Sequence, residues 1–229
     1  MNTTALKSEN GTSALHRSGA ADGSCPLPSE AAALLLMGRQ TIRRYDGRPV
    51  PKQDVQQLLR LAISAPSAHN RQPWRFVVLR DASRKAELAL RMGEALRRDR
   101  LEDGDPQELV DSDVRRSVAR ISDAPVAVLV CMTLENANRY DDTRRAAAER
   151  QMAVQGTAMA IQNLLLAASA AGLGACWMCA PMFCVHVVQD VLRLPTAWEP
   201  QALLTLGWPL PGKTARRTRF DIDDVVRWD

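Results

Sequence analysis

Aromatic side chains are scarce in this sequence: Phe, Trp and Tyr together make up 4% of 229 residues. A chain so poor in rings has no interleaved stacking platform for single-stranded nucleic acid. Its 30 basic and 26 acidic residues leave a net charge of +4, too balanced for a polyanion-binding surface. No nucleic-acid partner is expected. Histidine is scarcer still, with His16, His69 and His186 alone, and none belongs to a Ser or Cys, His and Asp constellation of the kind nucleophilic hydrolysis requires. The first 28 residues hold no apolar run of signal-peptide length. Asp, Glu, Lys and Arg are missing altogether between Gln151 and Gln189, a gap long enough to suggest a membrane span. Gln155, Gln162 and Asn163 interrupt it early, Gly172, Gly174 and Pro181 break it, and interfacial aromatic and basic flanks are missing. A buried helix followed by a buried strand is the better reading, with no membrane partner.

The sequence is otherwise ordinary for a globular domain, with 46% hydrophobic and 24% charged residues. Residues 1–28, rich in Ser, Thr, Ala, Asn and Gly, read as a disordered tail, and residues 29–229 as one domain. Five cysteines, Cys25, Cys131, Cys176, Cys179 and Cys184, are an odd number and point to reduced thiols in a cytoplasmic protein. Cys176 and Cys179 have C-x-x-C spacing, but no second pair completes a zinc site, and the apolar residues around them read as a buried strand.

Hydrophobic periodicity predicts helices over about 29–38, 52–64, 84–99, 107–120, 143–171 and 182–193, and strands over 74–80, 125–132, 175–180 and 201–208. The pattern is that of an α+β fold, a mixed sheet flanked by helices. Beyond Met152 the longest helix is apolar on nearly every side, so it is either a central core helix or one that a second subunit also covers.

Two segments carry chemistry. Ala65, Pro66, Ser67, Ala68, His69, Asn70, Arg71, Gln72, Pro73 and Trp74 form a compact polar loop between a helix and a strand. Its amides and hydroxyls, stiffened by two prolines, suit a flat polar heterocycle; its Ser and Asn equally suit turn capping. Upstream, Gly38, Arg39, Gln40, Thr41, Ile42, Arg43, Arg44 and Tyr45 read as an extended stretch with positions 39, 41 and 43 on one side. Two guanidinium groups and a hydroxyl suit a phosphate.

Taken with Ala160 to Ala168, Gly172 to Trp177 and the terminal Arg216, Arg217, Thr218 and Arg219, these segments resemble the nitroreductase family of FMN-dependent oxidoreductases. The resemblance runs from about Ser29 to Asp229. Within the family, Glu149 to Trp177 together with Trp198, Glu199, Pro200 and Gly207 look most like the branch containing the C-terminal, flavin-binding domain of the coenzyme F420 biosynthesis protein.

The resemblance implies a mainly antiparallel mixed sheet, a central buried long helix and an intertwined homodimer with FMN at the subunit interface. Arg39, Gln40, Thr41, Arg43, Arg217 and Arg219 would hold the phosphate and ribityl side. Pro66, Ser67, Ala68 and Asn70 would contact the isoalloxazine from the partner subunit. Met178, Cys179, Ala180 and Gln155 would face the flavin near N5. NADH or NADPH would deliver a hydride to N5, and a small conjugated acceptor, a nitroaromatic or quinone, would take the electrons in a second half-reaction. The same scaffold also serves deazaflavin-linked reductases, oxidases of pathway intermediates, flavin-fragmenting enzymes and non-catalytic flavin carriers. No side chain is then needed as nucleophile, and His69 reads as a solvent-exposed spectator. Cys179 and Ala180 stand where many members place an acidic residue and Gly, which bears on the acceptor pocket rather than on FMN.

Overall fold

Strand β1 (Trp74–Leu79), strand β2 (Val126–Met132), strand β3 (Gly174–Met178) and strand β4 (Glu199–Gly207) form an antiparallel sheet in the order β1-β2-β4-β3. The structure is a computed structural model describing residues 29–212 and 218–229. The proposed tail, Cys25 and Arg217 lie outside the described residues. The fold is α+β: two helices, α1 (Glu30–Gly38) and α2 (Lys52–Ala62), precede β1; α3 (Ala82–Glu102) and α4 (Gln107–Ser122) lie between β1 and β2; α5 (Thr143–Ala170) precedes β3, and α6 (Val185–Leu192) precedes β4.

Every residue of β2 is buried, and β4 is buried from Pro200 to Gly207. Central strands covered on both faces are continuously apolar rather than alternating. On one face Val126, Val128, Val130, Leu204 and Leu206 pack with Leu58 of α2 and Ile161 and Leu164 of α5; on the other Leu129 and Leu203 pack with Leu88 of α3 and Val188 of α6. Asp81 and Asp142 cap α3 and α5 by accepting from the amides of Arg84 and Arg145.

Two expectations need correction. The strand expected over 175–180 ends at Met178, because Pro181 has no N–H for a ladder, and Ala180–Phe183 form a short 3-10 turn with Met182 N donating to Cys179 O at 2.9 Å. That turn delays α6 to Val185 and leaves Cys179 exposed, outside the buried strand expected for it. Helix α5 is not buried all round in the single chain: Gly156, Thr157, Ala160, Ile161, Leu164 and Ala168 form the inner face, while Gln155, Met159 and Gln162 are exposed. Among the described residues no helix is long and apolar enough to cross a membrane.

Candidate functional site

The 39–46 segment is fixed along the free edge of the sheet. Ile42 N donates to Ala175 O at 2.9 Å, Thr41 and Ala175 form a parallel bridge, and Asp46 N donates to Trp208 O at 3.0 Å. That bridge supplies the parallel pairing the mixed-sheet reading anticipated. Tyr45 Oη sits 2.9 Å from Ile42 O and 2.8 Å from Thr205 Oγ1, pinning the segment's far end, and burial drives its phenol far above the usual range.

Alternation along this segment divides its side chains. Arg39, Gln40 and Ile42 line a cleft with Leu165, Ser169 and Ala175. Thr41 and Arg43 are exposed on the other side. Burial raises the Cys176 thiol, and the Arg43 and Arg120 cations draw it back down. Arg39 therefore shares the cleft with Gln40, not with Thr41 and Arg43 as the expected one-sided set required. The Gln40 Oε1 and Trp177 Nε1 atoms are buried without a hydrogen-bond partner, a cost that a polar ligand would relieve.

The 65–74 loop lines a second cleft. Ser67, Ala68 and Pro73 stand on one side of it, with Thr133, Glu149 and Met152 opposite. The loop's backbone is unusual: His69, Asn70 and Gln72 have φ of 51°, 52° and 51°. Asn and His tolerate the left-handed region, but Gln72 pays about 1–2 kcal/mol for it. Such strain persists only where surrounding contacts impose it, and it gathers at ligand sites. Here Gln72 N donates to Ser67 Oγ at 3.0 Å, Asn70 N to Ser67 O at 2.9 Å, and Thr133 N to Pro73 O at 2.9 Å.

Helix α5 seats this loop at Gly156. A Cβ there would stand 3.2 Å from Ser67 Cβ and 3.4 Å from Pro73 Cγ. Gly156→Leu is expected to lift the loop and lower stability by about 1–3 kcal/mol. Gly156→Ala should nearly break even, since the better helix former returns up to about 1 kcal/mol. Thermal melts of the two variants check this; a Leu variant that melts with the parent would refute the close seat.

The structure thus brings Pro66, Ser67, Ala68 and Asn70 together in one loop and holds Arg39 and Gln40 in a different cleft. Met178 is half-buried, Cys179 is exposed and Ala180 is half-buried at the end of β3; Gln155 is exposed on α5; Arg219 is exposed near the C-terminus. The first cleft measures about 220 Å³ and the second about 20 Å³. Neither alone reaches the ~300 Å³ at the lower end of cofactor pockets. Sequence reading assigned no role to Arg71, Asn138 or Glu149. A signal for Glu149 was available, because it lies two helical turns before Gly156 and so on the same face of α5.

Fold and clefts together define an α+β protein with two separate clefts, one bordered by Arg39 and Gln40 and the other by the strained 65–74 loop. Residues 36–208 match the Nitroreductase family. A protein of Methanothermobacter thermautotrophicus, provisionally named an NADH dehydrogenase/NAD(P)H nitroreductase, is 30% identical over 82% of this chain and 81% of its own length. The 5,6-dimethylbenzimidazole synthase of Rhodospirillum rubrum is 30% identical over 76% and 80%. A crystal structure from Desulfovibrio desulfuricans, described provisionally as a nitroreductase in complex with FMN, superimposes with a TM-score of 0.66 at 25% identity, covering 88% of this chain and 98% of that one. The chain belongs to the Nitroreductase family, a family of oxidoreductases.

Proposed function

We propose that this chain is a homodimeric FMN-dependent oxidoreductase that passes a hydride from NADH or NADPH to a small conjugated acceptor. The observation that carries the reading is the presence of two separate, largely apolar clefts, each too small for a flavin, one bordered by Arg39 and Gln40 and the other by the strained 65–74 loop. A second copy that sets its own loop against the first copy's 39–43 segment makes one complete site from two halves. The uncovered apolar surface supports such a partner. No residue of α1 is buried, and its Leu34, Leu36 and Met37 are 65%, 57% and 68% exposed. Phe220, Ile222, Val225 and Trp228 near the C-terminus are equally bare.

The donor set fits FMN. Arg39 and Gln40 on the cleft side, joined by Arg217 and Arg219, offer cationic and amide partners to a phosphate and ribityl chain, Thr41 and Arg43 offer a hydroxyl and a further cation from the segment's other side, and the unpartnered Gln40 Oε1 and Trp177 Nε1 supply one acceptor and one donor. Pro66, Ser67, Ala68 and Asn70 of the second copy would border the ring, with Met178, Cys179, Ala180 and Gln155 beside its reacting edge. Bound there, FMN supplies hydride transfer between nicotinamide and acceptor in two half-reactions. The chain's own part is to hold that group, to set fixed donors where negative charge develops and to exclude water. No carboxylate stands at Cys179 or Ala180, so protons reach the acceptor from solvent or from the acceptor itself.

A second reading, a biosynthetic flavoenzyme on the same scaffold, is favoured by the 30% identity to the dimethylbenzimidazole synthase. Visible absorption of the purified protein separates the two. Anaerobic NADH or NADPH is expected to bleach a flavin spectrum, with the released cofactor having the mass of FMN. A flavin that stays oxidised favours the second reading, and a colourless protein that cannot be loaded with FMN overturns both.

A further inference from the structure

The 65–74 loop is tied to α5 by a second device besides the seat at Gly156. Arg71 donates through Nη1 to Asn136 O, and through Nη2 to Asn138 Oδ1 at 2.8 Å. Asn138 Nδ2 in turn donates to Glu149 Oε1 at 2.9 Å. Glu149 is 5% exposed, one of the few charged side chains buried in the described part of the chain. A buried carboxylate needs hydrogen bonds and an opposing charge to remain tolerable. Asn138 gives the bond, and Arg71, one amide further out, gives the charge. The chain of contacts is directional: an Asn presents its carbonyl oxygen to a guanidinium and its amide to a carboxylate, and only that orientation satisfies both neighbours.

We propose that Glu149 is a positioning residue, which acts through Asn138 and Arg71 to hold the backbone of residues 69–72, left-handed at 69, 70 and 72, in its ligand-ready shape. Residues 69, 70 and 72 all lie at positive φ, and Arg71, between them, is the residue the relay grips. Gly156 sets how close the loop comes to α5, while the Glu149 relay sets the loop's twist. The two supports stand on one helix face, so the loop moves with α5. The inference rests on the proposed reading of the loop as the flavin-contacting half of the site, but its first readout does not need flavin.

The test is a set of Asn138→Ala, Glu149→Ala, Glu149→Gln and Arg71→Ala variants, with the double Arg71→Ala/Asn138→Ala. Hydrogen exchange at the amides of residues 70–72 is measured in the flavin-free protein. Asn138→Ala and Glu149→Ala are expected to speed that exchange at least tenfold while leaving the β2 and β4 amides unchanged. Glu149→Gln keeps an acceptor for Asn138 and should recover most of the protection. In the FMN-bound protein each single variant that breaks the relay should weaken FMN about tenfold and alter the visible circular dichroism of the flavin, and the double variant should be no worse than the poorer single, as for links of one chain. Unchanged exchange in Asn138→Ala overturns the inference, and so does a double-variant effect equal to the sum of the singles. A parent protein that binds no FMN would refute the functional reading alone, since the exchange measurement would still decide the relay.

Discussion

The Arg39→Ala/Arg219→Ala double variant is expected to lose FMN by at least 100-fold in affinity while keeping its fold. Each guanidinium that bonds a phosphate is worth about 1.5–3 kcal/mol as a charge-assisted hydrogen bond, so removing two costs roughly 3–6 kcal/mol of binding. The fold has little at stake. Arg39 follows the last turn of α1, a helix with no buried residue, and its backbone N–H, which donates to Leu35 O at 3.2 Å, survives the substitution. Arg219 is exposed, and one of its side-chain bonds, to Thr218 O at 3.1 Å, is local. Fluorescence titration of the flavin-free double variant, beside its thermal melt, measures both quantities. A variant that purifies as yellow as the parent would place the phosphate elsewhere. Arg43, exposed on the other side of the segment, would then become the leading cation.

Long periodic stretches were legible because burial and period coincide. The β2 run of Val126 to Met132 and the α2 face of Val55, Leu58 and Ala62 are as apolar in the structure as in the sequence. What escaped was set by contacts distant in sequence. Nothing local to Arg71 shows that Asn138, 67 residues on, accepts its Nη2–H, and the positive φ of Gln72, whose N–H donates to Ser67 Oγ, runs against its own preference. The end of β3 was misjudged for a local reason, because the apolar character of Trp177 to Phe183 masks the stop that Pro181 imposes. The period-2 alternation at 39–43 was correct in form, but Arg39, at the junction with α1, falls on the cleft side with Gln40. The exposed stripe on α5 has a third origin. A sequence apolar all round does not say which face the chain itself covers, and Gln155, Met159 and Gln162 mark the side it leaves open.

Gly174→Ala should disable the site from behind. The added Cβ would stand 2.6 Å from Ile42 Cγ2 and 2.7 Å from Ile42 Cβ. A flexible side chain could turn away from the first contact but not from the second, because a Cβ moves only with its backbone, and Ile is stiff at χ1 as well. The 39–43 segment must therefore leave the edge of β3, which breaks the Ile42 N to Ala175 O bond and the Thr41 bridge. Overpacking of this kind costs about 1–3 kcal/mol, a fall in Tm of roughly 2–12 °C at 2–4 °C per kcal/mol for a chain of this size. Displacing Arg39, Gln40, Thr41 and Arg43 together by about 1 Å should weaken turnover with any acceptor by roughly 100-fold. The rescue discriminates between this clash and a general loss of strand quality. Ile42→Ala leaves its Cβ in place and should not restore Gly174→Ala, whereas Ile42→Gly removes both close contacts and should return the melt and flavin affinity most of the way to the parent. Equal rescue by the two would show that bulk at position 42, rather than the Cβ to Cβ approach, sets the segment's place.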